Sequence, residues 1–141
     1  MTRWAKAVLL LATSGGLVGC GPGEPLGSRC LPDPLTVTPA EAAAGSTVTL
    51  ASAGFSCAGD YDEGHGYDLS LYFAGRQEAV DLGSVPVDRD GSFSARLTLP
   101  ADASPGEAGI AVSGSPYDEC ADDPGTSCAG YSVSFTVLPA G

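Results

Sequence analysis

Asp88-Arg89-Asp90-Gly91-Ser92-Phe93-Ser94-Ala95-Arg96-Leu97-Thr98-Leu99 reads as a turn followed by a strand. Asp90-Gly91 is a strong hairpin signal, because glycine takes the positive φ that a tight turn demands. Beyond it, Phe93, Ala95, Leu97 and Leu99 alternate with Ser94, Arg96 and Thr98. A period of two places the apolar set on one face of a half-buried strand and the polar set on the other. The same alternation recurs on both sides. Upstream lie Leu35 and Val37, then Val48 and Leu50, then Leu69, Leu71 and Phe73, then a looser set of Val80, Leu82, Val85 and Val87. Downstream come Ile110 and Val112, and finally Tyr131, Val133, Phe135 and Val137. Turn chemistry separates the runs at 39–45, 74–76, 88–91 and 100–106. The expectation is an all-β fold, an antiparallel β-sandwich of about seven strands over 35–139, with no helix after residue 20.

Ahead of this region the chain changes character twice. Arg3 and Lys6 precede the apolar run Ala7-Val8-Leu9-Leu10-Leu11-Ala12, and small residues lead to Leu17-Val18-Gly19-Cys20. That layout is a secretory signal, too short for a spanning helix of about 20 residues. Leu17-Val18-Gly19-Cys20 resembles the lipobox of bacterial lipoproteins. The resemblance implies a signal peptide over 1–19, cleavage before Cys20, and a diacylglyceryl group on the Cys20 thiol that anchors the chain to a cell membrane outside the cytoplasm. Residues 20–34 are rich in Gly and Pro without an apolar period, as in a tether. Loss of 1–19 would remove Arg3 and Lys6, leaving four arginines and no lysine against 17 acids, a formal charge of about −13. Such a chain is repelled by nucleic acid, which is excluded as a partner. Its length suits one modest core, and a monomer is expected.

The strand region resembles bacterial immunoglobulin-like domains. The residues that carry the likeness are Leu35-Thr36-Val37-Thr38-Pro39, Ala44-Gly45-Ser46-Thr47-Val48-Thr49-Leu50, Asp88-Arg89-Asp90-Gly91-Ser92-Phe93 and Val133-Ser134-Phe135-Thr136-Val137. It is more distantly similar to neocarzinostatin-like apoproteins in its first hairpin, its Asp-Gly turn and a cysteine-closed loop before the last strand. That second likeness would imply an apolar cleft holding a small molecule. Fold likeness of this kind speaks to architecture more than to activity.

Four cysteines remain after Cys20, and they allow three pairings. A hairpin turning near Ala42 would set Cys30 opposite Gly54, a few residues from Cys57, while Cys120 and Cys128 flank a turn-rich loop. The expected disulfides are therefore Cys30–Cys57 and Cys120–Cys128, contributing roughly 3 and 2 kcal/mol. A metal site built from these thiols is disfavoured in an oxidising compartment.

If all strands alternate in direction, the loops after the second, fourth and sixth share one end. They carry Asp60, Asp62, Glu63 and Asp68, then Asp88 and Asp90, then Asp118, Glu119, Asp122 and Asp123. These are ten of the 17 acids, opposed only by Arg89. Such an end is either a solvated surface or a contact site for a basic protein or polycation of the envelope. Tyr61, Tyr67 and Tyr117 interleave with the acids as residues suited to cations. Ca²⁺ could also be held by oxygen ligands converging from several loops, although neither Asp60-x-Asp62 nor Asp88-x-Asp90-Gly91 has the terminal Glu of a calcium loop. His65, between two glycines, is expected to be an exposed loop residue, and one histidine makes no histidine-rich metal site. No serine stands in a nucleophile context, so no catalytic residues and no cofactor are expected. The sequence points to a lipid-anchored binding or structural module of the envelope. A small-molecule carrier or a passive envelope protein is the alternative.

Overall fold

The computed structural model describes residues 30–121 and 130–139, without the side chains of 120 and 121. Cys20, the signal and most of the tether, Asp122, Asp123 and the Cys120–Cys128 pairing lie outside the described residues.

Eight strands and one short helix make up the described chain. They are β1 (Thr36–Thr38), β2 (Glu41–Ala43), β3 (Thr47–Ala53), β4 (Gly66–Phe73), β5 (Val80–Pro86), β6 (Ser92–Thr98), β7 (Gly106–Ser113), α1 (Pro116–Ala121) and β8 (Ser132–Leu138). The strands form two sheets, a three-stranded one in the order β1-β3-β6 and a five-stranded one in the order β2-β8-β7-β4-β5. The alternating residues of the sequence do what their period requires. Val48 and Leu50 of β3, Phe93 and Leu97 of β6, Leu69, Leu71 and Phe73 of β4, Ile110 and Val112 of β7, and Phe135 and Val137 of β8 belong to one buried cluster. Each sheet turns its apolar face to this cluster and its Ser, Thr and charged face outward.

Three features depart from the sequence expectation. The first strand is split. β1 pairs antiparallel with β3, but β2 crosses to the other sheet and runs parallel to β8, so the fold is not wholly antiparallel. Pro39 lies at the crossing; without an N–H it cannot extend the ladder with β3, and Ala40 O instead accepts from Thr136 N at 2.9 Å. Ala42, expected at a hairpin turn, is buried in β2. Second, the strand expected at 80–87 is present as the edge strand β5, and the departure there is a register shift between Leu69 and Ser70 in its pairing with β4. Third, the segment after β7 forms α1, where no helix was expected. Ser115 stands at its N-cap, with Tyr117 N donating to Ser115 Oγ at 3.3 Å, and Pro116 opens the helix. Ser-Pro-x-Asp-Glu is a start signal written in the sequence, weakened by the shortness of the helix it opens.

The split strand also corrects the register. Thr36 pairs with Ala51, Asp33 N donates to Gly54 O at 2.7 Å, and Pro32 bridges to Phe55. Continued two residues further, the same register sets Cys30 directly opposite Cys57. The Cys30–Cys57 disulfide is formed, with the Cα atoms 5.7 Å apart.

Candidate functional site

The end of the molecule where β3, β5 and β7 finish is built from three loops tied together by hydrogen bonds. The chain leaves β3 at Gly54, whose φ of 90° suits glycine alone. Phe55 N then donates to Asp90 O at 2.7 Å and Tyr61 N to Arg89 O at 2.8 Å, so the first loop is laid against the β5–β6 turn. That turn closes through Gly91 N to Asp88 O at 2.8 Å and Asp88 N to Ser92 O at 3.0 Å. The Asp90 carboxylate accepts from Ser92 Oγ at 2.6 Å and from Ser92 N at 3.0 Å. The Ser92 hydroxyl bond above all, and then the backbone bond, hold the Asp90 carboxyl below its ordinary pKa. The third loop is joined by His65, whose Nε2 lies 2.7 Å from Gly114 O, and Val87 N donates to His65 O at 3.1 Å. Asp118 Oδ2 accepts from Gly114 N at 2.6 Å and so holds the start of α1.

Aromatic side chains fill the space beneath these loops. Tyr61 stacks on His65 with centroids 4.0 Å apart and meets Phe55 at 5.0 Å. Tyr67 meets Tyr61, Phe93 and Tyr131 edge-on, and Tyr117 stacks on Tyr131 at 4.7 Å. Their hydroxyls are all used. Tyr61 and Tyr67 share a hydrogen bond of 2.7 Å. Tyr117 donates to Pro32 O at 3.2 Å, and Tyr131 donates to Asp33 O at 2.8 Å and also meets Ser52 Oγ at 2.9 Å. Burial raises the Tyr61 and Tyr67 hydroxyls above the usual phenol range and pushes Tyr131 up to about 12. The three tyrosines expected beside the acids as contact residues are therefore placed differently. Tyr67 is completely buried, and Tyr61 and Tyr117 are half-buried. The reason is phase: Tyr67 precedes Leu69, Leu71 and Phe73 by even steps and shares their inward face. His65 is likewise half-buried rather than an exposed loop residue.

Above the aromatic layer lies an open cleft of about 480 Å³, lined by Asp60, Tyr61, Asp62, His65, Asp118 and Glu119 among others. Two of the expected loops thus meet at one place. Glu63, Asp88 and Asp90 sit on the same end but outside the cleft, and Asp90 is engaged in its own turn. Asp68 is on β4, where it accepts from the Ser84 hydroxyl. Arg89 contacts Asp60 at 3.4 Å, with both side chains largely exposed, a pair worth little to stability. His65 and Ser115 are the site residues that the acid pattern missed. Among the described residues, no three His, Cys, Asp or Glu side chains come together as a metal site. What the arrangement offers chemically is a negatively charged recess with an aromatic floor. Compared with protein-family models, curated proteins and solved structures, the chain finds no match.

Proposed function

We propose that this chain is a lipid-anchored, extracytoplasmic module of the bacterial envelope that contacts a basic protein or polycation through its acidic loop end, without catalysis. One observation carries the contact reading: Asp60, Asp62, Asp118 and Glu119 come from two separate loops to surround one cleft floored by Tyr61 and His65. Carboxylates at the rim attract a cationic group and lower its cost of approach over a floor of packed rings. The anchoring reading rests on Leu17-Val18-Gly19-Cys20. The immunoglobulin-like reading is supported by the sheet orders β1-β3-β6 and β2-β8-β7-β4-β5, with the first strand shared between sheets.

The two readings are geometrically connected. The chain enters at the acidic end, where Cys30 is bonded to Cys57. The ten tether residues 20–29 ahead of the disulfide reach at most about 36 Å when extended, so an anchored molecule would hold Cys30, at its acidic end, within about that distance of the membrane. A partner is then a basic component at the membrane surface. The clefts among the described residues are open, and none lends weight to an enclosed small-molecule site.

Palmitate labelling combined with a zero-length carbodiimide cross-linker, which joins carboxylates to lysines, tests the proposal in cells that make the full chain. The label is expected to disappear in Cys20→Ala. Cross-links to a basic partner are expected to disappear when Asp60, Asp62 and Asp118 become Asn and Glu119 becomes Gln. Label that survives Cys20→Ala, or cross-links unchanged by the amides, would refute the corresponding half.

A further inference from the structure

The two large hydrophobic side chains exposed among the described residues are Tyr72, at 44%, and Leu138, at 39%. Both lie on the outer face of the five-stranded sheet, toward the end opposite the acidic loops. Leu138 follows Ser134 and Thr136 by even steps on β8, away from buried Phe135 and Val137. Tyr72 is the outward neighbour of buried Leu71 and Phe73 on β4. The register sets Tyr72 beside Gly109 and Gly109 beside Ser134. The next row sets Glu107 beside Thr136 and Thr136 beside Glu41, and Leu138 pairs with Ala43 beyond it.

Two open clefts of about 770 and 240 Å³ adjoin at Glu107 and Ser134, and their linings together form a trough from Pro39 to Tyr72. Gly109 contributes no side chain, which leaves the space between Tyr72 and Ser134 open. Its charge is one-sided. Neither Glu41 nor Glu107 has an ion-pair partner among the described residues, and their backbones, two strands apart, stand about 10 Å from each other. Thr136 stands between them in that row, so a guanidinium or ammonium group would rest over Thr136 with a carboxylate on each side.

We propose that this face docks an extended segment of another protein, one that carries an arginine or lysine between apolar side chains. Charge complementarity selects the basic residue, since the trough has carboxylates and no cation of its own. Arginine fits best, because its planar fork can take carboxylate oxygens while its face rests on an aromatic ring. Tyr72 lines the smaller cleft and offers an apolar contact at one end, and Leu138, one row beyond Thr136 on β8, offers another outside it. The site is separate from the loop end and does not depend on it.

The test is amide chemical-shift mapping on the isotope-labelled full chain in a mild detergent at low salt, titrated with acetyl-Leu-Thr-Arg-Thr-Leu-amide. Shifts are expected in 41–43, 72, 107–109 and 134–138. The double variant Glu41→Gln, Glu107→Gln and the single variant Tyr72→Ala each weaken binding about tenfold, and the peptide with glutamate in place of arginine gives no shifts. Shifts at 60–65 and 114–119 alone would overturn this proposal while favouring the loop end. No shifts at millimolar peptide, or affinity unchanged in the double variant, would overturn it outright.

Discussion

At Gly54 the chain turns away from β3, and the position a Cβ would need is taken by Asp90 O and Ser92 N. The φ of 90° is strained for any other residue, and the obstructing atoms are backbone, which cannot swing aside. Gly54→Ala is therefore expected to cost about 3 kcal/mol, measured by denaturant unfolding. Tyr131 makes a different kind of prediction. Its hydroxyl donates to Asp33 O and meets Ser52 Oγ, two atoms that stay bonded to each other without it, so Tyr131→Phe removes one hydrogen-bonding group and should cost about 1 kcal/mol. The pH dependence follows from the raised pKa. Below about pH 10 the hydroxyl is protonated whether the chain is folded or not, and its contribution is complete. Above that, the unfolded chain releases a proton that the folded chain retains until about 12, so stability falls across this window. Unfolding midpoints compared between about pH 9 and 11 should drop in the parent chain and drop less in Tyr131→Phe. Asp90 has the opposite sign: its depressed pKa supports the turn above the ordinary carboxyl range and is lost as pH falls through the folded value.

The elements are legible in the sequence to different degrees, for reasons that differ by element. β3, β4, β6, β7 and β8 each bury side chains in alternation, a pattern the sequence displays directly. β2 buries only Ala42, and one alanine carries no periodic signal. Without β2 the expected register is displaced by three residues, yet Cys30 is paired with Cys57 as expected because Cys57 lies within reach. α1 is announced by Ser115 and Pro116 but is too short for a helical period. At the loop end the acids are legible as a group, since alternating strands gather alternate loops. The inward turn of Tyr67 is legible in its phase with Leu69, whereas the burial of Tyr61 and His65 depends on long-range contacts that no local pattern encodes. The first segment illustrates such contacts. Cys30, Pro32 and Asp33 are fixed by the disulfide, by Tyr117 and Tyr131, and by Ser52 Oγ donating to Asp33 O at 3.0 Å. Replacing Cys30 and Cys57 by Ser together should lower stability by about 3 kcal/mol through loop entropy. Amide exchange should rise at 31–33 and 54–55 before it rises in β7 or β8.

Across the whole molecule, charge and apolar surface are distributed unevenly. The loop end holds an acidic cleft beside the segment through which the chain enters. The opposite end carries Tyr72 and Leu138 around Glu41 and Glu107. Tethered as proposed, the molecule would engage one component near the membrane with the first surface and another farther from it with the second. Whether the loop cleft binds a cationic group is decided by thermal unfolding of the full chain at low salt, with and without a six-lysine peptide. The same scans are repeated on the Asp60→Asn, Asp62→Asn, Asp118→Asn, Glu119→Gln variant. The parent should gain several degrees with the peptide, because binding to the folded state alone stabilises it, and should lose that gain at about 0.5 M salt. In the variant no rise is expected. An equal rise in parent and variant, or none in the parent, would contradict a cation-binding cleft.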